Sequence, residues 1–147
     1  MSVRIQHVQA DDFESWLALW KQYQNFYQVQ IDPSVSEQTW ARLCNPAEPM
    51  YSVLAWSQGQ AIGMVNWIFH RSTWTTGDYC YLQDLYVSPE ARNLSVGRQL
   101  IEHVYQDAEK HQCSRVYWLT HESNQDAMHL YEKVADRSGF IQYRKQL

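Results

Sequence analysis

Two rhythms of apolar and polar residues run along this chain, one alternating and one helical. Residues 3–8 alternate apolar and polar and predict a short half-buried strand. Phe13, Trp16, Leu17, Trp20 and Tyr23 then recur at helical spacing, so a first helix runs to about residue 27 with Asp11 available as its cap. Asp32-Pro33-Ser34 breaks that helix, Ser36 with Glu37 opens a second through Trp40 and Leu43, and Asn45-Pro46 ends it. Residues 51–56 and 61–70 read as strands around the turn Gln58-Gly59-Gln60. After a loop or wide hairpin at 71–77, residues 78–87 form a long strand. Val96, Leu100, Ile101, Val104, Tyr105 and Ala108 mark one face of a third helix. A strand at 115–120, a fourth helix at 124–134 and a last strand at 140–144 complete the chain. The order β-α-α-β-β-β-α-β-α-β is that of one mixed α/β domain spanning residues 1–147, with a largely antiparallel N-terminal half.

Composition narrows the class without naming a chemistry. Hydrophobic residues make up 45% of the 147, and seven Trp with ten Tyr favour a packed core over disorder. No apolar run is long enough for a membrane span, and the first nine residues carry no signal core. A net charge of −4 argues against direct nucleic-acid binding. Cys44, Cys80 and Cys113 are odd in number and far apart, which suits free thiols in the cytoplasm. The six histidines show no metal-ligand spacing, and nothing near Cys113 suggests thiolate activation.

The candidate chemistry sits where the long strand ends. Leu82, Leu85 and Val87 stop at Ser88-Pro89, and a polar turn through Arg92, Asn93, Leu94, Ser95, Val96, Gly97 and Arg98 leads into the third helix. A strand, a small-residue turn and a helix N-terminus together point several N–H groups and a positive dipole end at one spot, which suits a pyrophosphate. The turn lacks the Lys-Ser/Thr of a nucleotide-triphosphate loop and the three glycines of a dinucleotide fingerprint.

What Arg92-x-x-Ser95-x-Gly97 after Leu85-Tyr86-Val87 resembles is the acyl-CoA site of the GCN5-related N-acetyltransferase (GNAT) superfamily. A second motif, Asn124-x-x-Ala127-x-x-Leu130-Tyr131-x-Lys133, follows one strand later with Gly139-Phe140 after it. The resemblance covers about residues 61–143. The segments at 81–87 and 117–124 are similar to the Hpa-type branch of histone, polyamine and D-amino-acid acetyltransferases. It implies a mostly antiparallel sheet of six or seven strands, splayed between the fourth and fifth and flanked by about four helices. It also implies acetyl-CoA as co-substrate, a primary amine as acceptor (polyamine, lysine side chain, D-amino acid or aminoglycoside), and a homodimer joined at the C-terminal end.

Roles follow the matched positions. The backbone at 93–98 would hold the pyrophosphate, with Arg92 and Arg98 either adding charge or remaining solvated turn arginines. The strand end at Leu85, Tyr86 and Val87 would pair with the pantetheine arm, and Asn124 would hold it from the other side or simply cap its helix. Tyr131 is the candidate general acid, because a phenol lies close enough to a thiol in pKa to protonate a departing thiolate. Relatives carry Glu-Asp where this chain has Gln83-Asp84. Gln83 cannot take a proton but can orient a water or the amine. Strand alternation puts Asp84 on the other face, where it meets a cationic substrate only if the strand bulges, and is otherwise a structural or dimer-contact carboxylate. The rate is then expected to keep rising toward alkaline pH, and a plateau by about pH 7 would point to a base such as Glu122 or His121.

Ser95 replaces the first glycine of the motif. Helical or extended backbone there would suit serine, and that is the expectation; a positive φ would cost on the order of 1–2 kcal/mol. Trp67, Trp74, Tyr81 and Tyr86 are either an aromatic wall for a cationic amine or core, and the segment 134–138 is an extra turn, a dimer edge or a plain loop. The alternative to an enzyme is a CoA-binding module with a sensing or structural role.

Overall fold

A computed structural model describes residues 2–147, with the side chains of Asn93 and Leu94 outside the description. In order come β1 (Arg4–His7), a 3-10 turn (Ala10–Asp12), α1 (Phe13–Phe26), α2 (Pro33–Leu43), β2 (Met50–Ser57), β3 (Gln60–His70) and β4 (Tyr79–Val87). A second 3-10 turn (Pro89–Leu94) then leads to α3 (Val96–Lys110), β5 (Arg115–Tyr117) and α4 (Gln125–Val134). The strands form one sheet in the order β1-β2-β3-β4-β5. The first three pairings are antiparallel, and β4 with β5 is parallel, as a crossover through α3 requires.

The two faces of the sheet bury different side chains. On one, α3 lays Val96, Leu100, Ile101 and Val104 against Val53, Val65, Cys80 and Leu82. On the other, α1 and α2 bring Trp16, Leu19, Trp20 and Leu43 onto Leu54, Met64 and Tyr86. Two of the helix tryptophans satisfy their indole N–H inside this layer: Trp20 donates to Ser36 Oγ at 3.0 Å and Trp16 to Asn66 Oδ1 at 3.4 Å.

Several expectations are corrected. Among the described residues the sheet has five strands, not six or seven, because residues 140–144 form no strand. Apolar residues alone do not make a strand; a ladder partner must satisfy the backbone. Here the segment lies in solvent, with Phe140 90% and Tyr143 91% exposed. Asp32-Pro33-Ser34 starts α2 rather than only ending α1: Asp32 Oδ1 accepts from Ser34 N–H at 2.9 Å, and proline suits the first helical position. The reciprocal cap before α1 uses Asp12, not Asp11, with Gln9 N–H donating to Asp12 Oδ2 at 2.8 Å. No helix among the described residues is long and apolar enough to cross a membrane.

Candidate active site

The cleft begins where β4 loses its parallel neighbour. Pairing between β4 and β5 ends at Tyr81 opposite Tyr117, so β5 pairs with nothing from Leu82 to Val87. One residue further the β3–β4 ladder slips. Trp67 faces Leu82 and Asn66 faces Asp84, which leaves Gln83 as the extra residue of a β-bulge. The slip reverses the alternation along β4. Before it, Cys80 and Leu82 face the α3 layer; after it, Leu85 and Val87 do, while Tyr86 joins the α1 layer. Asp84 is therefore swung onto the α1 face instead of being held opposite Gln83. The sequence expectation for its side holds only for an unbulged strand.

On that face Asp84 meets polar partners. Asn66 Nδ2 donates to Asp84 Oδ2 at 3.1 Å. Burial pushes the Asp84 carboxyl up to about 6, with Asn66 and the neighbouring Tyr23 hydroxyl pulling the other way. Burial, and then the Asp84 charge, raise Tyr23, Tyr27 and Tyr81 above the ordinary phenol value. Tyr81 stacks on Tyr117 with ring centres 5.0 Å apart, and Tyr117 hydroxyl lies 2.7 Å from His70 Nε2.

Tyr131 projects from α4 toward the same place. Its ring meets Trp118 edge to face at 5.4 Å, and it lies within electrostatic reach of Tyr27 and Tyr23. Burial, then Tyr27, push its hydroxyl up to about 12. It stays protonated at neutral pH and is a weaker acid than a free phenol.

The turn after β4 has the shape an anion needs. Ser95 adopts φ 58°, ψ 26°, the left-handed region, contrary to the expected helical or extended backbone. Its carbonyl accepts from Gln99 N–H at 3.1 Å, the first bond of α3, so helix geometry gives Val96, Gly97 and Arg98 N–H no partner within the helix. A left-handed residue before such donors curls them into an anion-binding concavity. Gly97 lets α4 approach: a Cβ there would stand 3.3 Å from Leu130 Cδ2. Arg92 Nε donates to Val87 O at 3.3 Å, and Arg98 pairs with Glu102 at 3.1 Å, so each has a contact within the chain. Asn124 holds the N-cap position of α4, yet its side chain makes no cap bond. Thr120 Oγ1, in the stretch leading to it, is buried without a hydrogen-bond partner.

Other candidates separate clearly. Trp67 and Tyr86 belong to the core, not to an aromatic wall: Trp67 donates to Asp107 Oδ2 at 3.0 Å and Tyr86 hydroxyl to Gln22 Oε1 at 3.3 Å. Trp74 is 85% exposed in its loop. His121 and Glu122 lie exposed before α4, with His121 Nδ1 2.6 Å from Ser123 Oγ. Burial raises all three thiols, so none is activated. No group of His, Cys, Asp and Glu among the described residues could hold a metal ion. Asn66, Tyr23 and Tyr27 went unnoticed in the sequence; a lone asparagine inside the apolar run of β3 was the visible signal.

Residues 9–135 match the acetyltransferase (GNAT) family. The chain belongs to that family. It is 36% identical over 143 residues to the D-amino-acid N-acetyltransferase HPA3 of Saccharomyces cerevisiae, covering 96% of this chain and 89% of that one. It is 33% identical over 92 residues to the thialysine N-epsilon-acetyltransferase of Sus scrofa, covering 63% of this chain and 49% of that protein. The fold superposes on AAC(6′)-Iy, solved with the bisubstrate analogue CoA-S-monomethyl-acetylneamine, with a TM-score of 0.86 over 100% of each chain at 19% identity. The chain is an N-acetyltransferase, and GNAT acetyltransferases use acetyl-CoA. The unpaired edge of β4, the curled donors at Val96 to Arg98 and the uncommitted Asn124 side chain fit such a donor.

Proposed function

We propose that this GNAT domain moves the acetyl group of acetyl-CoA directly onto an amine, with Asp84 as general base and Tyr131 as general acid. The observation that carries the reading is the bulge at Gln83, which turns Asp84 into the α1 layer beside the parted strands. A carboxyl near pH 6 is mostly ionised at neutral pH and still basic enough to take a proton from an amine positioned against it. Gln83, exposed on the bulge, orients the amine or a water. Acetyl-CoA supplies a thioester open to attack by a neutral amine. Its pyrophosphate would lie on the backbone of residues 93–98, with Arg92 and Arg98 at the rim. Leu85, Tyr86 and Val87 would pair with the pantetheine arm through their backbone, and Asn124 would hold it from α4.

The acceptor we favour is an amino acid. The HPA3 relative is named for D-amino acids and the porcine relative for thialysine. Local charge supports this: Arg144 lies close enough to Tyr81 to lower its phenol. A cation on this side suits an acceptor that also carries a carboxylate better than a polyamine or a basic histone-like peptide. The test is thiol release from acetyl-CoA with D-lysine, thialysine, spermidine, a histone-tail peptide and an aminoglycoside, for wild type and Tyr131→Phe. Turnover on the amino acids, falling about 10²-fold in the mutant, supports the reading. Equal rates in both proteins would remove Tyr131 as the acid. Acetyl-CoA binding without turnover on any amine would favour a binding module.

We also propose a homodimer in the cytoplasm, joined through residues 136–147. That segment leaves Phe140, Ile141, Tyr143 and Leu147 in solvent, and β5 ends the sheet with one edge open. Deleting residues 138–147 should then yield a monomer by light scattering; an unchanged mass would contradict the assignment.

A further inference from the structure

The Asp84 side of the sheet carries a strip of aromatic residues that the helices leave uncovered. Cys80 and Leu82 face α3, so Tyr79 and Tyr81 face the other way, and the bulge at Gln83 brings Asp84 onto that same side. On β5, Val116 packs against the α3 layer, which turns Tyr117, opposite Tyr81 in the parallel register, to the side of Tyr81. Tyr79, Tyr81 and Tyr117 are half-buried and belong to neither core layer. They are tied to one another instead. The Tyr81 and Tyr117 rings stack at 18°, and the Tyr117 hydroxyl meets His70 Nε2 at 2.7 Å. His70 Nδ1 lies 2.8 Å from Arg71 O, a carbonyl that can only accept. Nδ1 therefore carries the proton, Nε2 of the neutral ring accepts, and the Tyr117 hydroxyl proton is committed to it. Tyr79 lies further along β4 from Asp84, with the Arg115 guanidinium 4.1 Å over its ring. The Tyr81 hydroxyl is the one left open: it makes no hydrogen bond within the chain among the described residues.

An amino acid that sets its amine against Asp84 brings its own carboxylate onto this strip. Asp84 is already a carboxylate, so the incoming one must be met by a donor. We propose that the Tyr81 hydroxyl donates to the acceptor's carboxylate, with Tyr117 and His70 as positioning residues that hold the Tyr81 ring in place. The inference rests on the acceptor being an amino acid. Three residues of strand, at most about 10 Å, separate Tyr81 from Asp84, a gap within the reach of one phenol and one amino acid. Burial, then the Asp84 charge, raise the Tyr81 phenol, so it keeps the proton it would donate. Arg144, within electrostatic reach of Tyr81, adds positive charge on this side. The stack on Tyr117 fixes the donor before the acceptor arrives, which lowers the cost of ordering it on binding. Gln83, exposed at the bulge, is the rival donor.

The test sets D-lysine against cadaverine, the same diamine without the carboxylate, in thiol release from saturating acetyl-CoA. Wild type should favour D-lysine. Tyr81→Phe should raise KM for D-lysine about tenfold or more at little-changed kcat and leave cadaverine as it was, since it removes a hydrogen bond to a charged group. Tyr117→Phe, which keeps the ring but drops the bond to His70, and His70→Gln should each shift the D-lysine to cadaverine ratio the same way by a smaller factor. A purely structural role would lower both substrates alike, so an equal loss on both overturns the inference. A D-lysine preference that survives Tyr81→Phe also overturns it and leaves the amino-acid reading standing; if Gln83→Ala then abolishes that preference, the contact belongs to the bulge. A wild type with no preference for D-lysine over cadaverine removes the amino-acid reading itself, and this inference with it.

Discussion

The two faces of one sheet show what burial does with and without polar partners. Under α3 the layer centres on aliphatic side chains, Val65, Leu82, Leu100, Ile101 and Val104, with Trp67 and Phe69 beside them. Under α1 the layer is largely aromatic and is crossed by a hydrogen-bonded chain from Trp16 through Asn66 to Asp84. Both faces are largely out of water; the second holds a buried carboxyl, Asp84, raised above its ordinary value. The contrast teaches that the face proposed to react is built at a cost in stability, and that one bulged residue decides which face carries Asp84.

The sharpest way to break the contrast is Asp84→Asn. We expect kcat to fall by about 10²–10⁴-fold, measured by thiol release at saturating acetyl-CoA. The same change should stabilise the fold. The native carboxyl, near 6, lies above its ordinary 3.8, so the folded state holds its proton longer than the unfolded one. The penalty is absent below the unfolded value, grows as pH rises toward 6, and is fully present above it. It amounts to about 3 kcal/mol at most. Urea unfolding should therefore show Asp84→Asn more stable than wild type at pH 8 and equal to it at pH 4. Equal stability at both pH values would contradict a buried, raised carboxyl.

Leu100→Ala probes the other face. It removes a fully buried side chain from the aliphatic layer and should cost about 2–5 kcal/mol in urea unfolding. Its pH–rate profile should keep the wild-type midpoint, because no polar group on the α1 face is touched. A shifted midpoint would mean the two faces are coupled. A smaller effect is expected at the turn. Ser95 pays for its left-handed backbone, so Ser95→Gly should stabilise the fold by about 1 kcal/mol and tighten acetyl-CoA modestly. Destabilisation would show that the serine side chain holds the turn. The mildest change is Asn66→Ala, which removes a donor to Asp84 and should move the acid limb upward by a fraction of a pH unit.

How much of this was legible in the sequence follows the same division. The anion turn was readable because its parts are local: a strand end, a short turn and a helix start lie within consecutive residues, and the donors are main-chain groups. The conformation of Ser95 was not, because serine reports no φ. The acid pocket was hidden because alternation assumes an unbroken ladder, and the slip between Asn66 and Trp67 moved Asp84 to the face that alternation denied it. Tyr23 read as an apolar member of a helix face and Tyr27 only as that helix's end, so their hydroxyls went uncounted. At the C-terminus the error ran the other way: residues 140–144 read as a strand, but among the described residues none pairs with them.

The most direct test is the pH dependence of kcat for wild type and Asp84→Asn between about pH 5 and pH 9.5, with the best acceptor at saturation. The account predicts an acid limb with a midpoint near 6 and a plateau above neutrality in the wild type, with both lost in the mutant. A wild-type rate that climbs without a bend to the alkaline end would contradict it, because the amine would then be losing its proton in solution and Asp84 would not be its base.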